Sequence, residues 1–205
     1  GAAALLNQRR GQRVIEVSQG IYQQSTPELQ QAEIAAACTA AQEANAVFPH
    51  TVTSLVFTNE YVTDTVTTNA VTAMLTAHKP AVNVLGLKVG VRSQTFGQLT
   101  NPASPYLAPL QTLVRNCDFI LCNLYPPNPP GTIQDSLFSV TRAFDGITAA
   151  VVAVNPQCDV MIGETGWPSA GISFNNSINT VENARSYFEA VRQWSLQRRV
   201  VAYYF

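Results

Sequence analysis

Short apolar runs alternate along this chain with longer segments whose apolar positions repeat at a different period. The runs are rich in β-branched and aromatic residues, which favours strands. The longer segments repeat apolar positions every three to four residues, which favours amphipathic helices. Successive runs begin 31 to 41 residues apart, so each gap has room for one helix. The predicted strands are 13–22, 53–61, 84–92, 118–125, 159–167 and 200–205.

Capping residues predict where several helices begin. Thr26 followed by Pro27 is the pattern of an N-cap and a proline at the first helical position, and it predicts a helix over 27–46. Asp64 is expected to cap the next helix, which should end before Pro80 because proline breaks a helix interior. Further helices are predicted at 106–115, 134–154 and 177–198, and residues 1–12 are predicted to end another helix.

Regular alternation of strands and helices predicts an α/β fold with a parallel sheet and right-handed crossovers. An open doubly wound sheet and a (β/α)8 barrel both fit this pattern. No strand is followed by a G-x-G-x-x-G or G-x-x-x-x-G-K loop, which weighs against a nucleotide-binding open sheet. Six strands are too few for a closed eight-stranded barrel. A barrel therefore requires about two further β/α units that precede this sequence.

Composition narrows the range of functions. The chain has 205 residues, 46% of them hydrophobic, and a net charge of −1 from 12 basic and 13 acidic residues. This balance gives no electrostatic footprint for nucleic acid. No apolar run approaches the roughly 20 residues of a membrane helix, so we expect no transmembrane segment. Low charge with many Thr, Asn and Gln residues is typical of an extracellular protein that binds a neutral partner.

Metal and disulfide chemistry receive little support from the residues. The two histidines, His50 and His78, are far apart in sequence, so we expect no metal site and no cofactor. The four cysteines can form two disulfides or remain buried thiols, and the spacing does not decide between them. They are Cys38, Cys117, Cys122 and Cys158.

Two glutamates lie at the carboxyl ends of predicted strands, where parallel α/β folds place their active sites. By strand alternation, Glu60 shares a face with Val56, and Glu164 shares a face with Val160 and Ile162. Both carboxylates are therefore expected to face the mouth of a barrel. Two such carboxylates suffice for glycoside hydrolysis: one protonates the leaving oxygen, and the other attacks the anomeric carbon or activates water. The alternative is that each is a structural or surface acid.

The residues around Glu164 carry a more specific signal. The segment 160–171, VMIGETGWPSAG, resembles the signature of glycoside hydrolase family 17, which comprises β-1,3-glucanases and related glucanosyltransferases. Asn59-Glu60 is similar to that family's Asn-Glu pair, and 123–126, NLYP, is similar to its Asn-x-Tyr-Pro. The resemblance implies a (β/α)8 TIM barrel of which this chain covers about strands 3 to 8. Residues 1–205 would then be a single catalytic domain that is incomplete at both ends.

The resemblance also implies roles for individual residues. Glu164 would be the nucleophile and Glu60 the general acid/base of a retaining mechanism, with carboxyl groups about 5–5.5 Å apart. Asn59 would contact the sugar 2-hydroxyl. Tyr125 would line the site and hydrogen-bond to Glu164. Trp167 would stack on a glucosyl unit.

Asn123 and Tyr61 complete the expected substrate-binding set. An apolar wall, to which Phe57 or Tyr61 would contribute, would favour the protonated form of the catalytic acid. The chain departs from the family pattern at Phe57-Thr58, where a Val-Gly-like pair is usual, so we expect the pocket around the acid to differ in shape.

Other strand residues are secondary candidates. Lys88 and Arg92 share one face of a strand, so Arg92 can reach the mouth. Lys88 and Glu16 can face the interior and pair, or they can face a helix layer or solvent near a bulge. Tyr22 and Phe96 follow their strands as candidate aromatic contacts for glucan, with ordinary packing as the alternative.

The leading interpretation is a retaining glucan endo-1,3-β-glucosidase that cleaves β-1,3-glucan in cell-wall polysaccharide. A β-1,3-glucanosyltransferase would use the same two glutamates with a second glucan as acceptor. A non-catalytic glucan-binding or structural cell-wall protein would keep the groove without turnover. In each case we expect a secreted monomer with a neutral β-glucan as partner.

Overall fold

A computed structural model describes residues 1–127, 131–171 and 179–205. The strands are β1 (Val17–Ile21), β2 (Val52–Asn59), β3 (Lys88–Ser93), β4 (Phe119–Asn123), β5 (Asp159–Thr165) and β6 (Ala202–Tyr204). The helices are α1 (Ala2–Arg10), α2 (Pro27–Val47), α3 (Thr65–Val84), α4 (Leu107–Asn116), α5 (Ile133–Val154) and α6 (Val181–Arg198). A 3₁₀ helix, Thr95–Thr100, follows β3.

The six strands form one sheet in chain order, and every neighbouring pair is parallel. A helix connects each strand to the next, as the alternation of the sequence predicts. The six predicted strands are confirmed, although β1 begins only at Val17. Within the described residues, β1 and β6 are edge strands that do not pair with each other. All carboxyl ends of the strands therefore lie along one rim of the sheet.

Side-chain caps begin the helices where the sequence predicts them. The Thr26 hydroxyl accepts a hydrogen bond from the Leu29 N–H at 3.3 Å at the start of α2. The Asp64 carboxylate accepts one from the Thr67 N–H at 2.8 Å at the start of α3. These bonds satisfy N–H groups that have no partner within the helix. The helix predicted over 177–198 begins only at Val181, with Thr180 as its N-cap, so its predicted start is too early. Residues 177 and 178 lie outside the described ranges.

The predicted end of α3 is wrong, because the helix continues through Pro80 to Val84. Proline costs one backbone hydrogen bond at this point. Val82, in the turn that follows, is fully buried. Burial of this side chain offsets the lost bond and keeps the segment helical.

The sheet is buried on both faces, as parallel sheets usually are. One face packs against the helices through fully buried side chains: Leu55, Phe57, Val89, Val91 and Ile120. The other face, on the concave side of the sheet, holds a smaller cluster of Val56, Phe119 and Leu121 with Met161 packed against it. The two sets alternate along each strand, so the face on which a side chain lies follows from whether its position in the strand is odd or even.

Helix α5 is, by length and composition alone, the one helix of the described ranges that could cross a membrane. Val140, Phe144, Ile147 and Val151 on this helix are buried in the fold. On the outer side of α5, Asp145 accepts a hydrogen bond from Arg198 of α6 at 2.7 Å. The expectation that this chain has no transmembrane segment stays a prediction.

All four cysteines are free thiols in the structure, which favours the thiol alternative over two disulfides. Cys117, Cys122 and Cys158 are buried, and Cys38 is half-buried. Burial raises the pKa of Cys158 to about 12, so this thiol stays protonated at neutral pH.

Replacement of Gly90 by alanine tests the packing of the concave face. A Cβ at this position would collide with the ring and the main chain of Phe119. We expect Gly90→Ala to lower the free energy of unfolding by about 1–3 kcal/mol, measured by urea denaturation.

Gly20→Ala is the matched control, because Gly20 lies in β1 with no atom within 4 Å of the added Cβ. We expect this change to leave stability unchanged or to raise it by about 0.5–1 kcal/mol. Equal effects of the two substitutions would contradict the close approach at Gly90.

Candidate active site

Five polar side chains meet at the carboxyl rim of the sheet. They are contributed by four neighbouring strands and the segments that follow them: Glu60 after β2, Arg92 in β3, Asn123 and Tyr125 at and after β4, and Glu164 in β5. The structure thus brings together both predicted catalytic glutamates and two of the five predicted substrate-binding residues. Asn59 is exposed beside Glu60, whereas Trp167 and Tyr61 lie elsewhere.

The backbone is strained at the end of β2 and just after it. Thr58 and Glu60 have φ angles of 65° and 54°, in the left-handed region that non-glycine residues rarely adopt. The pairing register between β2 and β3 shifts between Val56 and Asn59, and the Glu60 N–H then donates to the Arg92 carbonyl at 3.1 Å. The irregularity ends the strand and fixes Glu60 at the rim. Such strain costs about 1–3 kcal/mol per residue and often accompanies functional sites.

Asn123 holds the Glu60 carboxylate. The Asn123 side-chain amide donates to Glu60 Oε1 at 2.9 Å, and Asn123 is only 4% exposed. The amide was expected to bind substrate, but here it orients the candidate acid. Its own Oδ1 is buried and has no partner among the described residues.

Glu164 reaches the concave side by a route that strand parity does not predict. Val160 and Ile162 pack against helix residues such as Val140 and Phe144, so the expectation that they share the inward face of Glu164 is wrong. The register between β4 and β5 shifts after the Cys122–Ile162 pair, so that Asn123 pairs with Glu164. This irregularity turns Glu164 inward.

Both oxygens of Glu164 have a partner. The Tyr125 hydroxyl donates to Oε2 at 3.0 Å, as predicted, and Arg92 Nη1 lies 3.3 Å from Oε1. The Glu164 side chain is 17% exposed, which strengthens both contacts relative to open water. Burial and the negative charges of Glu164 and Glu60 raise the pKa of Tyr125 to about 12, despite the opposing effect of Arg92. Tyr125 therefore remains a hydrogen-bond donor across the physiological pH range.

The two carboxylates consequently differ in their surroundings. Glu164 has a cation and a phenol as neighbours, whereas Glu60 has a neutral amide. A pair of carboxyl groups with unlike environments is the arrangement that lets one act as nucleophile and the other as acid.

Gly163 makes this cluster possible. A Cβ at Gly163 would lie 2.7 Å from Asn123 Oδ1 and 2.9 Å from Arg92 Cδ. Any larger residue would displace one of the side chains that hold the carboxylates. The missing side chain therefore allows a close approach that any other residue would block.

Trp167 does not form the open stacking surface that the sequence suggests. It is 7% exposed and packs with Tyr187 and Val191 of α6. The Trp167 and Tyr187 ring centroids are 5.7 Å apart. Most of the indole surface is therefore buried in the packing of α6 against the sheet.

Tyr61 and Phe57 are also placed differently from the expectation. Phe57 is fully buried on the helix side of the sheet, so it is no wall beside Glu60. Tyr61 packs against the same core and lines a cleft of about 420 Å³ with Met74 of α3. Phe96 is fully buried, which favours packing over glucan contact, whereas Tyr22 is 72% exposed at the end of β1.

Arg92 is the main functional residue that the expected set of catalytic and substrate-binding residues lacks. The sequence signal for Arg92 is that it lies on the same strand face as Lys88. The predicted approach of Arg92 to the mouth is confirmed. Of the two alternatives for Lys88 and Glu16, the pair is not the one found. Lys88 donates instead to Asp159 at 2.8 Å, and Glu16 accepts from the Thr53 hydroxyl at 2.7 Å.

Within the described ranges, no three or more His, Cys, Asp or Glu residues cluster closely enough to hold a metal ion. The expectation that the chain needs no metal or cofactor stays a prediction.

Comparisons with known proteins point to β-1,3-glucan enzymes. No protein-family model matches the chain. A glucan 1,3-β-glucosidase of Saccharomyces cerevisiae is 26% identical over 93 residues, which cover 41% of this chain and 29% of that protein. The chain thus spans less than a third of the length of this curated relative.

Two solved structures share the fold. A glycoside hydrolase family 17 β-1,3-glucanosyltransferase from Rhizomucor miehei matches with a TM-score of 0.68 and 23% identity, over 99% of this chain and 68% of its own. An endo-laminarinase from Formosa matches with a TM-score of 0.77 and 16% identity, over 100% of this chain and 63% of its own. The predicted barrel fold is confirmed, and so is the resemblance to family 17 as a similarity of sequence and fold.

The strain at Thr58 predicts that a glycine is better at this position. The left-handed conformation costs a non-glycine residue about 1–2 kcal/mol, and the Thr58 hydroxyl is buried with no partner among the described residues. We expect Thr58→Gly to raise the free energy of unfolding by about 1 kcal/mol, measured by urea denaturation.

The matched control is Thr53→Gly in the same strand, where φ is not in the positive region. We expect a loss of about 1 kcal/mol there. A loss of similar size for Thr58→Gly would show that no strain is relieved.

Tyr187 predicts a dependence of stability on alkaline pH. Burial raises the pKa of Tyr187 to about 12 in the folded protein, above its value near 10 in an unfolded chain. The neutral phenol is favoured by folding, so its contribution is fully present below pH 10 and is lost as the pH rises toward 12. In Tyr187→Phe, the urea midpoint should fall less steeply between pH 9 and pH 11.5.

Only the slope is compared, because loss of the 2.9 Å hydrogen bond to Thr165 lowers stability at every pH. Tyr22→Phe is the control, since Tyr22 is 72% exposed and should leave the slope unchanged. A Tyr187→Phe slope as steep as that of the parent would refute this role of Tyr187.

Proposed function

We propose that this chain carries the catalytic centre of a retaining glycoside hydrolase that cleaves β-1,3-glucan, with Glu164 as nucleophile and Glu60 as general acid/base. The observation that carries the proposal is the unequal support of the two carboxylates. Arg92 and Tyr125 contact Glu164, whereas among the described residues only the Asn123 side chain donates to the Glu60 carboxylate.

In the first step, a carboxylate oxygen of Glu164 attacks the anomeric carbon and forms a glycosyl ester. The bond from that carbon to the glycosidic oxygen breaks, and Glu60 gives its proton to the leaving oxygen. Asn123 holds Glu60 toward the leaving group, and Tyr125 holds one oxygen of Glu164. Fixed orientation of both groups reduces the entropic part of the barrier.

In the second step, Glu60 acts as a base. It takes a proton from water, the water oxygen bonds to the anomeric carbon, and the electron pair of the ester bond returns to Glu164. Two successive inversions retain the configuration of the sugar. The expected separation of the carboxyl groups, about 5–5.5 Å, belongs to this proposal.

A neutral glucan fits the surroundings of the two carboxylates. Asn59 is exposed beside Glu60, where its amide would contact the sugar 2-hydroxyl. Tyr125 is 45% exposed and offers part of its ring to a sugar face. The names of the similar proteins, glucan 1,3-β-glucosidase and endo-laminarinase, support β-1,3-glucan as the substrate.

Transfer to a second glucan is the alternative reaction. The similar Rhizomucor miehei structure is a β-1,3-glucanosyltransferase, and the same glycosyl ester serves both reactions. The acceptor, water or a sugar hydroxyl, then decides the product. For either reaction we propose a secreted, monomeric protein that acts on cell-wall glucan.

Replacement of each glutamate by glutamine tests the roles. Glu164→Gln should lower the rate of laminarin cleavage by about 10³-fold or more, because no glycosyl ester can form. Glu60→Gln should lower it by about 10²–10⁴-fold. Reducing-end release measures the rate, and sizing of the products separates hydrolysis from transfer.

Glu43→Gln on the exposed face of α2 is the control and should keep the parent rate. Proton NMR of the first product should show the β anomer. An α anomer would exclude the retaining mechanism, and binding of laminarin without any product would favour a non-catalytic glucan-binding protein.

A further inference from the structure

Arg92 contacts both candidate catalytic residues through different atoms. Its main-chain carbonyl accepts a hydrogen bond from the Glu60 N–H at 3.1 Å. Its side-chain Nη1 lies 3.3 Å from Glu164 Oε1. One residue in β3 thus joins the strand end that bears the candidate acid to the carboxylate that is the candidate nucleophile.

The surroundings of Arg92 hold its side chain in place. Arg92 Cδ lies 2.9 Å from the position that a Cβ on Gly163 would occupy, so the arginine side chain packs directly against the main chain of this glycine. Nη1 is also 3.4 Å from the Gly163 carbonyl oxygen, and the side chain is 29% exposed. Packing and hydrogen bonding therefore leave the guanidinium few alternatives to the contact with Glu164.

Arg92 and Tyr125 differ in how they respond to the reaction. In the glycosyl ester, Glu164 has lost its negative charge, so the attraction of the Arg92 guanidinium to it is largely lost. The neutral phenol of Tyr125 loses less, because it can donate to an ester oxygen as well as to a carboxylate. A positive charge beside Glu164 therefore stabilises the free carboxylate more than the ester.

We propose that Arg92 is a positioning residue that holds Glu164 and speeds release of the sugar from it. The inference rests on the proposed role of Glu164. During release, water bonds to the anomeric carbon and gives a proton to Glu60. The bond between the carbon and the Glu164 oxygen breaks, and its electron pair returns to Glu164. Arg92 stabilises the carboxylate that emerges.

A slow-reacting donor separates formation of the ester from its breakdown. We would treat the full chain with a 2-deoxy-2-fluoro-β-laminaribiosyl fluoride and follow the intact mass of the labelled protein. The rate of mass gain reports attack by Glu164. After removal of the reagent, the rate of mass loss reports release to water.

Arg92→Met should slow release by about 10- to 100-fold, the range for loss of a hydrogen bond to a charged group. It should slow attack much less, since the uncompensated carboxylate is a stronger nucleophile. Arg92→Lys retains the charge and should release the sugar within about 3-fold of the parent. Arg115→Met, on the exposed side of α4, should change neither rate.

The outcomes separate this inference from the proposed function. If the parent chain takes no label, or takes it at a residue other than Glu164, the proposed function fails and the role of Arg92 fails with it. If Glu164 is labelled and Arg92→Met slows both steps equally or neither, only the role of Arg92 is wrong. Circular dichroism checks that each variant is folded. If Arg92→Met does not fold, Arg92→Lys is compared with the parent: release slowed by more than about 3-fold there, although the positive charge is kept, would also overturn the role.

Discussion

Burial of the parallel sheet on both faces is the constraint on which the rest of this structure depends. Each strand must alternate between side chains that pack against the helices and side chains that fill the concave side. Phe57 and Ile120 belong to the first set, whereas Val56 and Leu121 belong to the second. A regular strand would carry this alternation to its last residue. The candidate site exists because two strands depart from it at their ends.

These departures have different physical forms. At the end of β2 and just after it, Thr58 and Glu60 adopt left-handed conformations, and a hydrogen bond to the Arg92 carbonyl holds the strained segment. In β5, a change of register with β4 turns Glu164 inward after Ile162. The strain and the lost ladder contacts reduce stability locally. In return, two carboxylates from strands that are not neighbours reach one place on the rim.

Electrostatic asymmetry then separates the two carboxylates. Arg92 and Tyr125 contact Glu164, and the amide of Asn123 contacts Glu60. The missing side chain of Gly163 allows Arg92 and Asn123 to approach from two sides. A cation beside one carboxyl group and a neutral donor beside the other give the two groups unlike environments, which is the arrangement that a two-step glycosyl transfer uses.

The sequence by itself determined the order of strands and helices, because hydrophobic period and capping residues such as Thr26 and Asp64 are local signals. It also pointed to Glu60 and Glu164, since a motif and the end of a strand can both be recognised from the sequence. Only the tertiary structure decided which way side chains face beyond an irregularity. It buried Trp167 under α6, placed Tyr61 on the helix side and brought Arg92 to Glu164. A register shift depends on the neighbouring strand, and no local pattern in the chain records it.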